Sequence, residues 1–291
     1  MNTVCQVEGE GYHRISSRGV DSMPTKKPII TLLTDFGVQD HFVGVMKGVI
    51  LSIQPEAEIV DISHNAPPHD IFQAAFLLKN YYSYFPSEAI HLIVVDPGVG
   101  TQRRPIVTSS EKGIFVAPDN GVLSYLYAEG NVGDVREITA DHYFLKPRSG
   151  TFDGRDVFAP VAAWLAKGVG LSSFGEPISD YKKFEIPQPS LIQSGAWKCK
   201  IIHVDRFGNL ISNLGREQFK EMLDASEQRR FAFRVGDHTI SKISQTFADG
   251  EKDEVIAVFG SSGGLEFCVN QGSASAITDV RAGRDFLVKI V

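Results

Sequence analysis

The sequence predicts an α/β N-terminal domain with a mostly parallel sheet, followed by an all-β, barrel-like C-terminal domain. Three observations carry that prediction. Apolar β-branched runs alternate with helical periodicity from residue 28 to about residue 170. An aperiodic stretch with Pro187 and Pro189 comes next. Short strand-like runs separated by turns fill the rest, and such a pattern closes into a small barrel or sandwich.

The elements follow in order. "PIITLLTDFG" (28–37) reads as a buried strand breaking into a loop at Asp35. In 41–53 the spacing of Phe42, Val45, Met46, Val49 and Ile50 gives one apolar helix face. A strand is expected at 57–63 and a helix over 70–85 with Asp70 as its cap. A third strand, "AIHLIVV" (89–95), ends in "DPGVG". Strands at 105–109 and 113–117 precede a short helix over 119–130, and a helix over 156–166 carries Pro160 early, where proline is tolerated. The division expected is an α/β domain over 28–186, a linker over 187–194 and a β domain over 195–291. Eight strand-like runs are read in the last part, from "WKCKIIHVD" through "SASAI" to "FLVKIV". Residues 1–27 read as a poorly ordered extension, polar and aperiodic, with no apolar core of a secretory signal.

Composition narrows the function. With 291 residues, 43% hydrophobic, the chain can bury a sizeable core. A net charge of −6 argues against non-specific nucleic-acid binding, which needs basic patches. No stretch approaches the roughly 20 apolar residues of a membrane span. Three scattered cysteines without a CxxC pair fit a reducing cytoplasm better than a disulfide framework or a zinc site. His64 and His69 lack a matching ligand cluster, so no metal is expected.

Polar residues gather where strands end: Asp35, Asp96, and Asp119 with Asn120; Asp153 precedes a helix. Ligands of open α/β sheets bind outside the carboxyl ends of strands, though Asp and Asn also favour such places as turn and cap residues. "DPGVGTQRRP" (96–105) is Gly-rich but neither a P-loop nor GxGxxG; Arg103 and Arg104 read equally well as solvated charges. "VDRFGNLISN" presents Asp205, Asn209 and Asn213 beside Phe207, as a hairpin turn or as a site for a nucleobase and an amine. Ser261 and Ser262 sit in a Gly-rich turn able to hold a carboxylate. "TFDGRDVFAP" crowds Asp153, Arg155 and Asp156 between Phe152 and Phe158.

Taken together, "TLLTDFG", "IVDISH", "VVDPGVG" with its following arginine, "APDNG", "TFDGRDVFAPVAA", "DRFGN" and "SSGGLEFCVNQG" resemble the S-adenosyl-L-methionine (SAM) hydrolases that form adenosine. These are also called SAM hydroxide adenosyltransferases and are related to the SAM-dependent fluorinase and chlorinase. The resemblance spans about residues 28–291. It implies a homotrimer, with SAM held between the N-terminal domain of one subunit and the C-terminal domain of its neighbour. It implies that Asp35 holds the ribose hydroxyls and that Asp40 lies in a loop closing over the ligand. Asp205 would meet the methionine amino group, Asn209 the adenine, and Ser261 and Ser262 the methionine end. The backbone around Val269 and Asn270 would take the adenine edge, and Glu266 joins the substrate-binding set. No cofactor is implied, because SAM is the substrate.

The resemblance also implies an Asp-Arg-His triad beside the attacking water. Asp96 and Arg103 match its first two members. The histidine position is Asp153 here. A carboxylate is a weaker base near neutrality than an imidazole. It also stabilises the sulfonium of bound SAM more than a transition state in which that charge is vanishing. The expectation is a hydrolase that binds SAM well and turns over slowly. The alternatives are a SAM- or adenosine-binding protein with little turnover and, further behind, a SAM-dependent halogenase.

Overall fold

The computed structural model describes residues 27–130, 132–225 and 230–290. Apart from Lys27, the expected N-terminal extension lies outside them.

The first half contains strands β1 (Ile29–Thr34), β2 (Glu58–Ser63), β3 (Ile90–Val94), β4 (Pro105–Ser110), β5 (Gly113–Pro118) and β6 (Arg136–Glu137). They form one sheet in the order β2-β1-β3-β5-β4-β6. The first four in that order run parallel, while β4 is antiparallel to both of its neighbours. The mixed character has a local cause. Only Glu111 and Lys112 separate β4 from β5, so they can join only as a hairpin.

Helices cover both faces. Helices α1 (Phe42–Ile53) and α4 (Ala159–Ala166) share a core with β1 and β3, in which Met46, Ile50, Phe158, Val161 and Ala162 are sealed from solvent. On the other face lie α2 (Ile71–Lys79) and α3 (Ser124–Ala128). Asp70 caps α2 by accepting the Gln73 N–H at 3.0 Å. The helix expected over 70–85 stops at Lys79 and continues as a short 3₁₀ turn over Tyr82–Tyr84. The helix expected from Asp156 begins earlier and differently: Gly154–Phe158 is a π-helical turn that feeds into α4. Such turns insert a residue into a helix and re-aim its side chains, often at functional sites.

The second half is a strongly bent sheet of strands β7 (Ser190–Gln193), β8 (Ala196–Val204), β9 (Leu210–Gly215), β10 (Phe231–Val235), β11 (His238–Ile240), β12 (Val255–Phe259), β13 (Gly264–Val269) and β14 (Asp285–Ile290). Its order is β11-β10-β14-β8-β9-β13-β12, with β7 also on β8, and every pairing is antiparallel. The two ends approach each other, since Ser244 donates its N–H to the Ala257 carbonyl at 2.8 Å. The sheet is therefore a nearly closed barrel around Phe233, Phe267, Phe286 and Leu265.

Two helices interrupt it. Helix α5 (Arg216–Asp224) was not expected, although Phe219 and Met222 sit on its inward face and Gln218 reaches back to the Gly215 N–H. "SASAI", strand-like in sequence, instead starts α6 (Ala274–Thr278), because Ser273 caps the helix by accepting the Ala276 N–H. The halves meet along α2. Gln73 donates to the Ile202 carbonyl at 2.7 Å, and Phe76 stacks on His203.

One buried group makes stability depend on pH. His91 on β3 is fully buried, stacked on Phe115, with Nδ1 2.9 Å from the Thr31 hydroxyl. Burial pushes its pKa down from 6.5 to about 4. The folded protein thus resists a proton that the unfolded chain accepts. This contribution is whole above the unfolded value and erodes as pH falls from there toward the folded value. Between pH 7 and pH 5 the expected loss is roughly 2 kcal/mol. Urea unfolding of the native protein and His91→Gln at both pH values measures it. Equal pH slopes in the two proteins would contradict the assignment.

Candidate active site

Strands β1 and β3 are adjacent and parallel, with Thr34 opposite Val94. Their carboxyl ends therefore bring Asp35 and Asp96 to the same rim of the sheet. Asp35 Oδ2 accepts the His69 backbone N–H at 2.9 Å. Asp40 is exposed in the loop before α1.

The loop after β3 turns Arg103 back onto Asp96. Gly100 takes a positive φ of 78°, which glycine adopts without strain. Asp96 Oδ1 accepts the Gly98 N–H at 3.2 Å and Arg103 Nε at 3.0 Å, while Arg103 Nη2 closes a second bond to Asp96 Oδ2. The same Nη2 reaches Asp153 Oδ2 at 2.9 Å. The three side chains are nearly sealed from solvent, at 5%, 4% and 2% exposure for Asp96, Arg103 and Asp153. Burial pushes the Asp96 carboxyl above the usual carboxylate range, against the pull of Arg103. The guanidinium lies over the Phe158 ring at 5.1 Å, and its buried Nη1 has no partner among the described residues. Arg103 is thus no solvated charge. Arg104 is the structural one of the pair, tied to Asp119 and Asp180.

Beside this cluster is a cavity of about 180 Å³, lined by Asp96, Asp153, Phe36, Phe42, Val99 and Phe152 among others. The three phenylalanines pack mutually, with ring centroids 5.2–5.8 Å apart. They form an apolar wall facing two acids. Sequence reasoning missed this wall, because Phe152 lies far along the chain from Phe36 and Phe42 and the three carry no shared period.

It also missed Arg148. This side chain grips both oxygens of Asp153, with Nε 3.0 Å from Oδ1 and Nη2 2.9 Å from Oδ2, the oxygen that also accepts Arg103 Nη2. Nothing in "KPRSG" marks that arginine apart from a surface charge.

The C-terminal candidates assemble elsewhere. Asp205, Asn209, Ser261, Ser262 and Glu266 line a cavity of about 790 Å³ together with α2 residues. Asp205 organises its own turn: Oδ1 accepts the N–H groups of Phe207 and Asn209, each at 2.9 Å, and Oδ2 accepts Asn209 Nδ2 at 2.8 Å. Glu266 is buried with its Oε1 3.2 Å from the Ser262 hydroxyl. Its carboxyl is pushed up by burial and by the charge of Asp205. Gly260 makes room for this carboxyl, since a Cβ there would fall 1.8 Å from Glu266 Oε1 and displace it. Val269 lines an adjoining cavity with Phe207, Asn209 and Phe247, while the Asn270 side chain bonds the Gly250 carbonyl. Asn213 is turned away, bonding Lys200 and Pro187 backbone. Among the described residues no group of three or more His, Cys, Asp or Glu side chains is placed to hold a metal ion, and no helix is long and apolar enough to cross a membrane.

Known proteins resemble this chain in sequence and in fold. Residues 30–175 match the SAM hydroxide adenosyltransferase N-terminal domain, and residues 199–286 match the C-terminal domain of the same family. A protein of Salinispora tropica named (R)-S-adenosyl-L-methionine hydrolase is 35% identical over 262 residues, covering 88% of this chain and 95% of its own. A Methanocaldococcus jannaschii protein of the same name is 33% identical, covering 87% and 92%. A Nocardia brasiliensis fluorinase is more distant, at 26% identity over 91% of this chain and 98% of its own. The crystal structure of an uncharacterized conserved protein from Thermotoga maritima superposes with a TM-score of 0.82 at 35% identity, covering 90% of this chain and all of that one. Both family domains, matched in order over most of the chain, place this chain in the SAM hydroxide adenosyltransferase family.

Proposed function

We propose that the protein hydrolyses SAM to adenosine and L-methionine by in-line attack of water on the ribose C5′. The observation that carries the reading is the buried Asp96–Arg103 pair facing a small cavity at the carboxyl end of β3. Relatives named as SAM hydrolases, at 31–35% identity over most of the chain, support it. In the step, the water oxygen bonds to C5′ as the C5′–S bond breaks. The bonding pair returns to sulfur, leaving methionine as a neutral thioether. The water proton passes to the Asp96 carboxylate, which burial makes a better base, and then to solvent. Arg103 stabilises the hydroxide-like oxygen as it forms. The phenylalanine wall keeps other water away from C5′.

Asp35 takes the ribose hydroxyls through the carboxylate oxygen that His69 leaves free, and Asp40 belongs to the loop closing over the ligand. Asp205 and Glu266 face the ammonium, Ser261 and Ser262 the carboxylate, and Asn209 with the backbone at Val269 and Asn270 the adenine. SAM is a substrate in this reading, and no cofactor takes part. A reducing cytoplasm suits the buried free thiols Cys199 and Cys268.

The two sets of residues line different cavities of one chain. The cavity at Asp96 is below the ~300–1,000 Å³ that a ligand of this size fills. We therefore assign the site to an interface between copies, in a homotrimer where one subunit's Asp35 rim meets its neighbour's Asp205 cavity.

A chromatogram of a SAM incubation is the direct test. Adenosine and methionine should rise in equal amounts. Tight SAM binding by calorimetry with neither product over hours would select a binding protein. A chlorinated nucleoside formed in chloride would select halide transfer.

A further inference from the structure

We infer that Arg148 is a positioning residue of the hydrolytic site: it fixes the Asp153 carboxylate, and through it the guanidinium of Arg103 against Asp96. The inference rests on the hydrolytic reading above, and goes beyond it in giving Asp153 the role of a clamp on Arg103, itself held by Arg148.

The geometry is a chain of alternating charges, Asp96–Arg103–Asp153–Arg148, in which each neighbour is hydrogen-bonded to the next. A carboxylate has about four acceptor positions. Asp153 Oδ1 takes Arg148 Nε, while Oδ2 takes Arg148 Nη2 and Arg103 Nη2. Both oxygens are engaged, and two of the three donors belong to Arg148. The second arginine also balances the second acid. Formal charges of −1, +1, −1 and +1 cancel across the four groups, so the carboxylate at position 153 adds no net negative charge beside the sulfonium.

Arg148 is suited to this role without being a fold element. Its side chain is 47% exposed, so removing it uncovers little apolar surface. Its loop is tied down by another group. Asp156 accepts the Ser149 N–H and hydroxyl, each at 2.6 Å, and its carbonyl accepts the Leu145 N–H at 2.9 Å. The loop therefore keeps its course when Arg148 is changed. What is lost is the hold on Asp153, which sits 2% exposed with Arg103 as its other ion-pair partner. Arg103 keeps its two bonds to Asp96 but loses a fixed second partner, and small misplacements at a reacting centre are costly.

The test is Arg148→Gln, Arg148→Lys, Asp153→Asn and the Arg148→Gln/Asp153→Asn double variant. Arg148→Gln should lower kcat by about 10–100-fold, the range seen for groups that orient a reacting residue, with KM for SAM changed by less than about threefold. Arg148→Lys should recover only part, because an ammonium cannot grip both oxygens in the same plane. In the Asp153→Asn background the Arg148→Gln change should cost less than about twofold, since the two act as one unit. The Arg103 Nε–H resonance, read by nitrogen-15 NMR without substrate, should move and exchange faster in Arg148→Gln. An unmoved Arg103 resonance, or an undiminished kcat in Arg148→Gln, overturns the clamp. If the native protein releases no adenosine, the hydrolytic reading fails, and the resonance still decides whether Arg148 holds Arg103.

Discussion

Replacing Arg103 by alanine is expected to lower turnover by about 10²–10³-fold, the usual cost of removing a donor aimed at developing negative charge. The same change should also weaken the fold. Asp96 and Asp153 are both buried, and Arg103 is the one group bonded to both. Breaking a buried pair by removing one partner typically costs about 3–5 kcal/mol, although Arg148 remains to hold Asp153. Arg103→Lys separates the two effects. It keeps the charge and most of the stability but cannot make the paired contact through Nε and Nη2. Its urea midpoint should lie near native while kcat stays at least about tenfold down. Adenosine release and urea unfolding measured on both variants check this. Native turnover in Arg103→Lys would mean that charge alone suffices and that the fork geometry is incidental.

Two inactive variants should restore each other. Asp96→Asn removes the rim of the first half, and Asp205→Ala removes the acid of the second. Each homogeneous protein is expected to retain under about 1% of native turnover, a loss in the range of a missing catalytic or binding charge. Co-expressed with separable tags and purified as mixed trimers, they should regain about a third of native activity. The reason is geometric: around a ring holding two copies of one variant and one of the other, one heterologous contact in three pairs both intact halves. A site built within a single chain predicts no recovery at all. The measurement thus decides the interface assignment as well as the roles of Asp96 and Asp205.

Much of the fold was legible because its signals are local. Asp70 announced a cap and became one. The apolar face of α1 and the buried run of β3 follow from spacing and β-branching within a dozen residues. The exceptions are informative in the same terms. Ser273 capping α6 and Gln218 closing the start of α5 are also local signals, but they sit among strands, where alternation dominates the reading. The π-helical turn at Gly154 was not legible, because the extra residue is accommodated by packing around Phe152 and Met46 and leaves no mark in composition.

The candidate site divides along the same line. Strand-end acids and the family motifs pointed to Asp35, Asp96, Arg103, Asp153 and the Asp205 turn. The sequence by itself determined the architecture, the family and the chemical types available, because periodicity, turn residues and ordered motifs are properties of neighbours in the chain. Tertiary structure alone decided what those groups do to one another. It buried Arg103 between two carboxylates, brought Arg148 onto Asp153, and stood Phe36, Phe42 and Phe152 against them. Some of those contacts join residues more than a hundred positions apart, and electrostatics in a dry site depends on distance and burial, which no one-dimensional pattern records.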